Sequence, residues 1–169
     1  MPCCLRSMEV DAMQSSKLSL VVDRADGQIS IAEATAFVSS AEFGAVDIFV
    51  GHVRNVNLGR DVDGISYDMF DALALVKFNE AADKTAAHIG VPCSIYIAHA
   101  KGRLTIGDIA VVVAVGTGHR AAAFEACRLV IESVKHEAPI WKQEHYSDGD
   151  SVWSEGTSLQ AASPGAPSE

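Results

Sequence analysis

Residues 109–116 read IAVVVAVG, a run without a single polar side chain. A strand with one wet face alternates apolar and polar residues, so an unbroken apolar run fits a central strand covered on both faces. The run is far short of the roughly 20 residues that a membrane span needs. After it come the polar break TGHR and the clearest helical pattern in the chain, residues 120–137, where Phe124, Cys127, Ile131 and Val134 recur at helical spacing. Pro139 ends that helix, because its ring clashes with the preceding turn and it has no N–H to donate.

The remaining elements are read around this strand and helix. Residues 17–23 alternate Leu18, Leu20 and Val22 with the other face of a half-buried strand. Ser30 and Glu33 form a capping box that opens a helix over 31–40. Strands follow at 44–53, 65–70 and 91–100, with a polar loop at 54–64 and a turn through Gly102 and Gly107. A helix from Asp71, as its cap, to about residue 88 carries Leu75, Phe78, Ala82 and Ala86 along one stripe. Beyond Pro139 the pattern is irregular. Residues 1–16 read as a flexible leader, 17–155 as one domain and 156–169 as a small, polar, disordered tail. Strands and helices mix without strict alternation, so the expected class is α+β, a mixed, largely antiparallel sheet with packed helices.

Charge narrows the partners. The formal net charge is −9, which disfavours a general nucleic-acid binder, although a local group of cations can still hold a small anion. No span and no secretory leader are read in the sequence, so a cytoplasmic protein without membrane contact is expected. The four cysteines form no CxxC pair, which argues against a zinc site. Cys93 and Cys127 read as buried thiols, and no metal is expected.

Three polar clusters break the apolar pattern at the ends of elements. In FVGHVRN (49–55), Gly51 marks a bulge or a close backbone approach, and His52 and Arg54 lie two apart on one face. In TGHR (117–120), His119 and Arg120 stand at the entry of the long helix, where free N–H groups favour anions. In VKHEAPIWKQE (134–144), Lys135 sits at the same helix's end, where the dipole favours a cation, while Lys142 lies past the proline corner without that reason. Each cluster alone also has a purely structural explanation. From residues alone, an anion-handling enzyme and an anion-binding domain without turnover both remain open.

Taken in order, FVGHVRN-N-G, Y-D at 67–68, IAH at 97–99, G-L-IGD at 102–108, HR-AAFEA at 119–126 and K-APIWK-E at 135–144 resemble the large, catalytic subunit of molybdopterin synthase. The resemblance covers most of the chain, from about residue 18 to 153. It implies an α/β hammerhead-type fold and a homodimer carrying two small ubiquitin-like sulfur-carrier subunits, a heterotetramer. The carrier ends in Gly-Gly and bears a C-terminal thiocarboxylate. The implied substrate is cyclic pyranopterin monophosphate (precursor Z), the product is the molybdopterin dithiolene, and no cofactor is permanently bound. The resemblance places Lys135 and Lys142 in catalysis. It places His52, Val53, Arg54, His119, Arg120, Gln143 and Glu144, with both lysines, in the substrate pocket, some of them reaching across the dimer. A homologue that binds the carrier without turnover is the alternative. Ala100 stands where the family commonly has Arg, Gln143 where Arg or Lys is common, and no Arg or Lys follows Lys142.

Overall fold

The computed structural model describes residues 15–154. The leader's first fourteen residues and the tail 156–169 lie outside the described residues. Eight strands and three helices follow in the order β1 (Ser16–Asp23), α1 (Ile31–Val38), β2 (Ala45–His52), β3 (Val56–Asn57), β4 (Arg60–Met69), α2 (Asp71–Ile89), β5 (Cys93–Thr105), β6 (Ile109–Thr117), α3 (Arg120–Glu137), β7 (Ile140–Tyr146) and β8 (Ser151–Ser154).

The strand order is β2-β6-β5-β4-β7-β8, with β1 beside β5 and β3 beside β4. Only the β1–β5 pair is parallel; the rest are antiparallel. The expected α+β class and mixed, largely antiparallel sheet are therefore the observed ones. The apolar run IAVVVAVG forms most of β6, between β2 and β5. Strand alternation splits its side chains between two cores. Val111, Val113 and Val115 pack with Phe78 of α2 and with Cys127, Val130 and Val134 of α3. Ala110, Val112 and Ala114 pack on the other face with Ala34 and Val38 of α1 and with Val62, Ile65 and Leu104. Both faces are covered, as the lack of polar residues requires.

β5 is the hinge of the architecture. Its first part, Cys93–His99, pairs with β6, and its last, Gly102–Thr105, pairs with β4. The strand changes neighbours at Gly102, whose φ of +92° is a conformation that side-chain-bearing residues avoid. The expected turn over 101–105 is instead continuous strand, because the β4 ladder recruits this polar segment.

Other expectations shift for the same kind of reason. Within the expected loop 54–64, β3 and β4 form a hairpin whose tip, Leu58–Gly59, takes positive φ at both residues. The expected irregular end is a second hairpin, β7–β8, because β4 supplies a ladder that propensity could not reveal. The α1 helix stops at Val38 and not at residue 40, with Ser30 Oγ accepting from the Glu33 N–H as its cap. Asp71 is not the cap of α2. It lies inside the first turn, where a carboxylate suits the dipole, and accepts from Lys101 Nζ at 2.9 Å. Phe124 shares the helical spacing of Cys127, Ile131 and Val134, yet it is 60% exposed; Ala123, Ala126 and Val130 complete the buried stripe of α3 instead. Cys93 and Cys127 are buried free thiols, and burial pushes the Cys127 thiol up to about 12.

Candidate functional site

A cavity of about 580 Å³ opens where the end of α3, the end of β2 and the inner face of the β4–β7 ladder meet. Each wall follows from local structure. The last turn of α3 presents Lys135 and His136 to it. Pro139 ends the helix, and the chain turns directly into β7. Alternation along β7 then puts Ile140, Lys142 and Glu144 on the cavity side. The proline corner thus brings both lysines to one cavity.

At the end of β2, the register with β6 slips between Gly51 and His52. Of the two readings of Gly51, the bulge is the observed one; the close neighbour is a methyl of the Val111 side chain, 2.7 Å from where a Gly51 side chain would begin, and not another backbone. The bulge turns His52 and Arg54 to the cavity. His52 Nδ1 lies 2.9 Å from the Gly107 carbonyl, to which it donates. Lys135 Nζ sits 5.5 Å from the centre of the Phe49 ring, within cation–π range.

The most connected group in the cavity is Glu144, 5% exposed. Lys142 Nζ donates to its Oε1 at 2.7 Å, the Tyr146 hydroxyl to its Oε2 at 2.7 Å, and the Asn57 side-chain amide also to Oε2. Burial alone pushes this carboxyl up, but Lys142, Tyr146 and Asn57 together outweigh burial and hold it below the ordinary range. Glu144 is therefore an anion at neutral pH, and it anchors the Lys142 ammonium. Tyr146 is itself held from behind. The Arg60 guanidinium lies 3.7 Å from the centre of its ring and pairs with Asp148 at 2.7 Å and Asp150 at 3.0 Å, which ties the β3–β4 hairpin to the β7–β8 hairpin.

The floor is formed by Tyr67 of β4 and His99 of β5, whose rings meet edge to face at 4.9 Å. Burial, helped by the Glu144 charge, pushes the Tyr67 hydroxyl up to about 12. Burial lowers His99 to about 4, against a bond to the Ala100 carbonyl that raises it, and the Lys135 charge lowers it further. Both side chains are neutral at pH 7. Sequence reasoning gave them no role, although both stand in the motifs that carry the family resemblance. Asn57 was also missed, since its partner Glu144 is 87 residues away and no local signal connects them.

Among the expected pocket residues, the structure gathers His52, Arg54, Lys135, Lys142 and Glu144 around this cavity. Val53 and Gln143 do not line it. Val53 is 3% exposed and its backbone bonds to Asp108 and Gly107, while Gln143 lies on the opposite face of β7, paired with Ser66 and Trp153. His119 and Arg120 are exposed at the start of α3 and line no part of it. Fifteen residues of helix separate Arg120 from Lys135, a rise of about 22 Å. One copy of the chain does not converge all of these cations. Among the described residues, no group of three His, Cys, Asp or Glu side chains is placed to hold a metal ion, and no helix is long and apolar enough to cross a membrane.

Comparison with known proteins bears on the family and the fold. The family described as "MoaE protein" matches residues 24–137. The molybdopterin synthase catalytic subunit of Synechococcus elongatus is 44% identical over 131 residues, 78% of this chain and 79% of that protein. The subunit of the same name from Pyrococcus abyssi is 36% identical over 144 residues, 85% of this chain and 95% of that protein. The crystal structure of molybdopterin synthase from Staphylococcus aureus superposes with a TM-score of 0.74 at 32% identity, covering 80% of this chain and 95% of that one. A protein–protein complex of subunits 1 and 2 of the molybdopterin-converting factor from Helicobacter pylori contains a chain with a TM-score of 0.57 at 27% identity, covering 85% of this chain and 92% of that one. With the family match spanning most of the described residues and the fold shared with its solved members, the chain belongs to the MoaE protein family.

Proposed function

We propose that this chain is the catalytic subunit of a molybdopterin synthase, a sulfurtransferase of molybdenum cofactor biosynthesis. It moves sulfur from the C-terminal thiocarboxylate of a small carrier protein to cyclic pyranopterin monophosphate, giving the dithiolene. The observation that carries this reading is the single cavity that takes Lys135 from a helix end and Lys142 from the strand after it. Donor and substrate are both anions, and cations in a water-poor cleft stabilise anions far better than they do in bulk water.

In this reading the carrier's Gly-Gly tail enters beside Lys135. The thiocarboxylate sulfur forms a C–S bond to a side-chain carbon as a C–O bond at that carbon breaks and its oxygen leaves. Water then cleaves the acyl–sulfur bond, returning the carrier as a carboxylate, and a second loaded carrier repeats the step for the second sulfur. The Lys135 ammonium faces the oxyanion that forms on the terminal carbonyl. Lys142, held by Glu144, keeps a fixed donor against the substrate, and Arg54 and His52 face its phosphate. No cofactor is permanently bound. His119 and Arg120 complete the pocket of a second copy, so the working unit is a homodimer with one carrier per copy. The Helicobacter pylori complex, whose two subunits pair a related chain with a partner, supports a carrier subunit.

The test is reconstitution. The purified chain is mixed with a thiocarboxylated carrier and precursor Z, and molybdopterin is measured. Product is expected; a folded chain that binds the carrier and yields none would contradict the assignment.

A further inference from the structure

We propose that His99 is a substrate-binding residue, its Nε2 accepting a hydrogen bond from an N–H or O–H of the bound pterin. The inference rests on the sulfur-transfer reading for the identity of the ligand. It rests on the cavity floor for everything else.

The geometry fixes which nitrogen faces the ligand. His99 Nδ1 lies 2.8 Å from the Ala100 carbonyl oxygen. A carbonyl only accepts, so Nδ1 carries the proton, and in the neutral ring Nε2 is left as a bare acceptor. The residue is 7% exposed and lines the cavity. Nε2 makes no hydrogen bond to any described residue, yet no buried side-chain nitrogen or oxygen there lacks a partner. The Nε2 atom therefore reaches the cavity itself. The T-shaped contact with Tyr67 at 4.9 Å fixes the ring plane. Burial keeps the ring neutral, with Lys135 as a neighbouring charge that opposes protonation.

The chemistry of the other walls gives this acceptor its purpose. Lys135, Lys142, Arg54 and His52 supply donors, which suit a phosphate and a thiocarboxylate. A pterin also carries N–H groups and hydroxyls, which need acceptors once water is displaced. Glu144, the strongest acceptor in the lining, is already engaged by Lys142, Tyr146 and Asn57. The Nε2 of His99 is uncommitted and can only accept. Once a ligand displaces water from the cavity, this lone pair needs a donor, and an N–H or O–H of the ligand supplies it.

The test reads binding apart from turnover. The wild-type chain, labelled with ¹⁵N-histidine, is titrated with precursor Z, and the ring nitrogens are followed by NMR. The His99 signals are assigned by their loss in His99→Gln. Nε2 is expected to resonate as an unbonded acceptor in the free protein and to shift on binding, while Nδ1 stays in place. In parallel, His99→Phe is expected to raise KM by about five- to a hundredfold, the cost of one unsatisfied buried donor. His99→Gln, which keeps an acceptor near the Nε2 position, is expected to recover part of the loss. A purely structural role would move stability without moving the Nε2 signal on titration. An Nε2 signal that stays put on titration, with product formed in the reconstitution with thiocarboxylated carrier, overturns the His99 role and leaves the sulfur-transfer reading standing. So does an unchanged KM in a folded His99→Phe chain. A shift of Nε2 on titration, with no product when the thiocarboxylated carrier is added, supports the His99 role and contradicts sulfur transfer.

Discussion

Glu144 is where single atoms decide the site. Removing its carboxylate takes one acceptor from the Lys142 ammonium, the Tyr146 hydroxyl and the Asn57 amide together. Glu144→Ala is expected to cost about 1–3 kcal/mol in denaturant unfolding and to lower turnover as well, because Lys142 loses its anchor. Tyr146→Phe removes one donor and leaves the carboxylate two others, so about 0.5–1.5 kcal/mol is expected. His99 sets a pH dependence. Its folded-state value of about 4 lies below the ordinary 6.5, so between those values the unfolded chain binds the extra proton. Stability from this group is complete above pH 6.5 and is lost as pH falls toward 4, by a total on the order of 3 kcal/mol. Glu144, also held below its ordinary range, adds a further loss at still lower pH. Unfolding midpoints measured from pH 7 to pH 4 check this: His99→Gln should flatten the upper part of the curve, and an identical curve would remove His99 as its source.

At the scale of elements, helix α3 shows how far a sequence pattern reaches. The spacing of Cys127, Ile131 and Val134 correctly identifies a helix and most of its buried face, yet Phe124 at the same spacing is 60% exposed. Near the helix start the stripe turns through Ala123 and Ala126, small residues that let α3 approach the sheet. Phe124→Ala is therefore expected to change monomer stability by less than about 0.5 kcal/mol, whereas Phe78→Ala, at a fully buried position between α2 and the sheet, is expected to cost about 3–5 kcal/mol. Gly102→Ala forces a side chain into positive φ and is expected to cost about 1–2 kcal/mol in the same unfolding assay. Local signals reveal the central strand, the capped start of α1, the bulge near Gly51 and the proline corner, because each is written within a few neighbouring residues. Two hairpins and the second half of β5 escape such reading. Their segments are polar and become strands only because β4 pairs with both β5 and β7. The site divides likewise: cations at element ends are visible in the sequence, while Asn57, Tyr67 and His99 join it through contacts between distant strands.

At the scale of the whole molecule, α3 separates two groups of cations that the proposed reaction uses together. A second copy resolves this if Arg120 of one chain serves the cavity containing Lys135 of the other, and mixed dimers test it. Lys135→Ala and Arg120→Ala chains are each expected to be inactive alone. A random mixture in which half the dimers are mixed restores one intact site in each of those, or about a quarter of wild-type activity. No recovery, with exchange of chains verified, would place each complete site within one copy. Sulfur transfer at the Lys135–Lys142 cavity is measured as molybdopterin formed from precursor Z and thiocarboxylated carrier by wild-type and Lys135→Ala chains, with carrier binding measured on both. Product from the wild type and a loss of at least about a hundredfold in the variant, with carrier bound equally by both, is the predicted result. Product formed at the wild-type rate by Lys135→Ala, or none from a wild-type chain that binds the carrier, would contradict it.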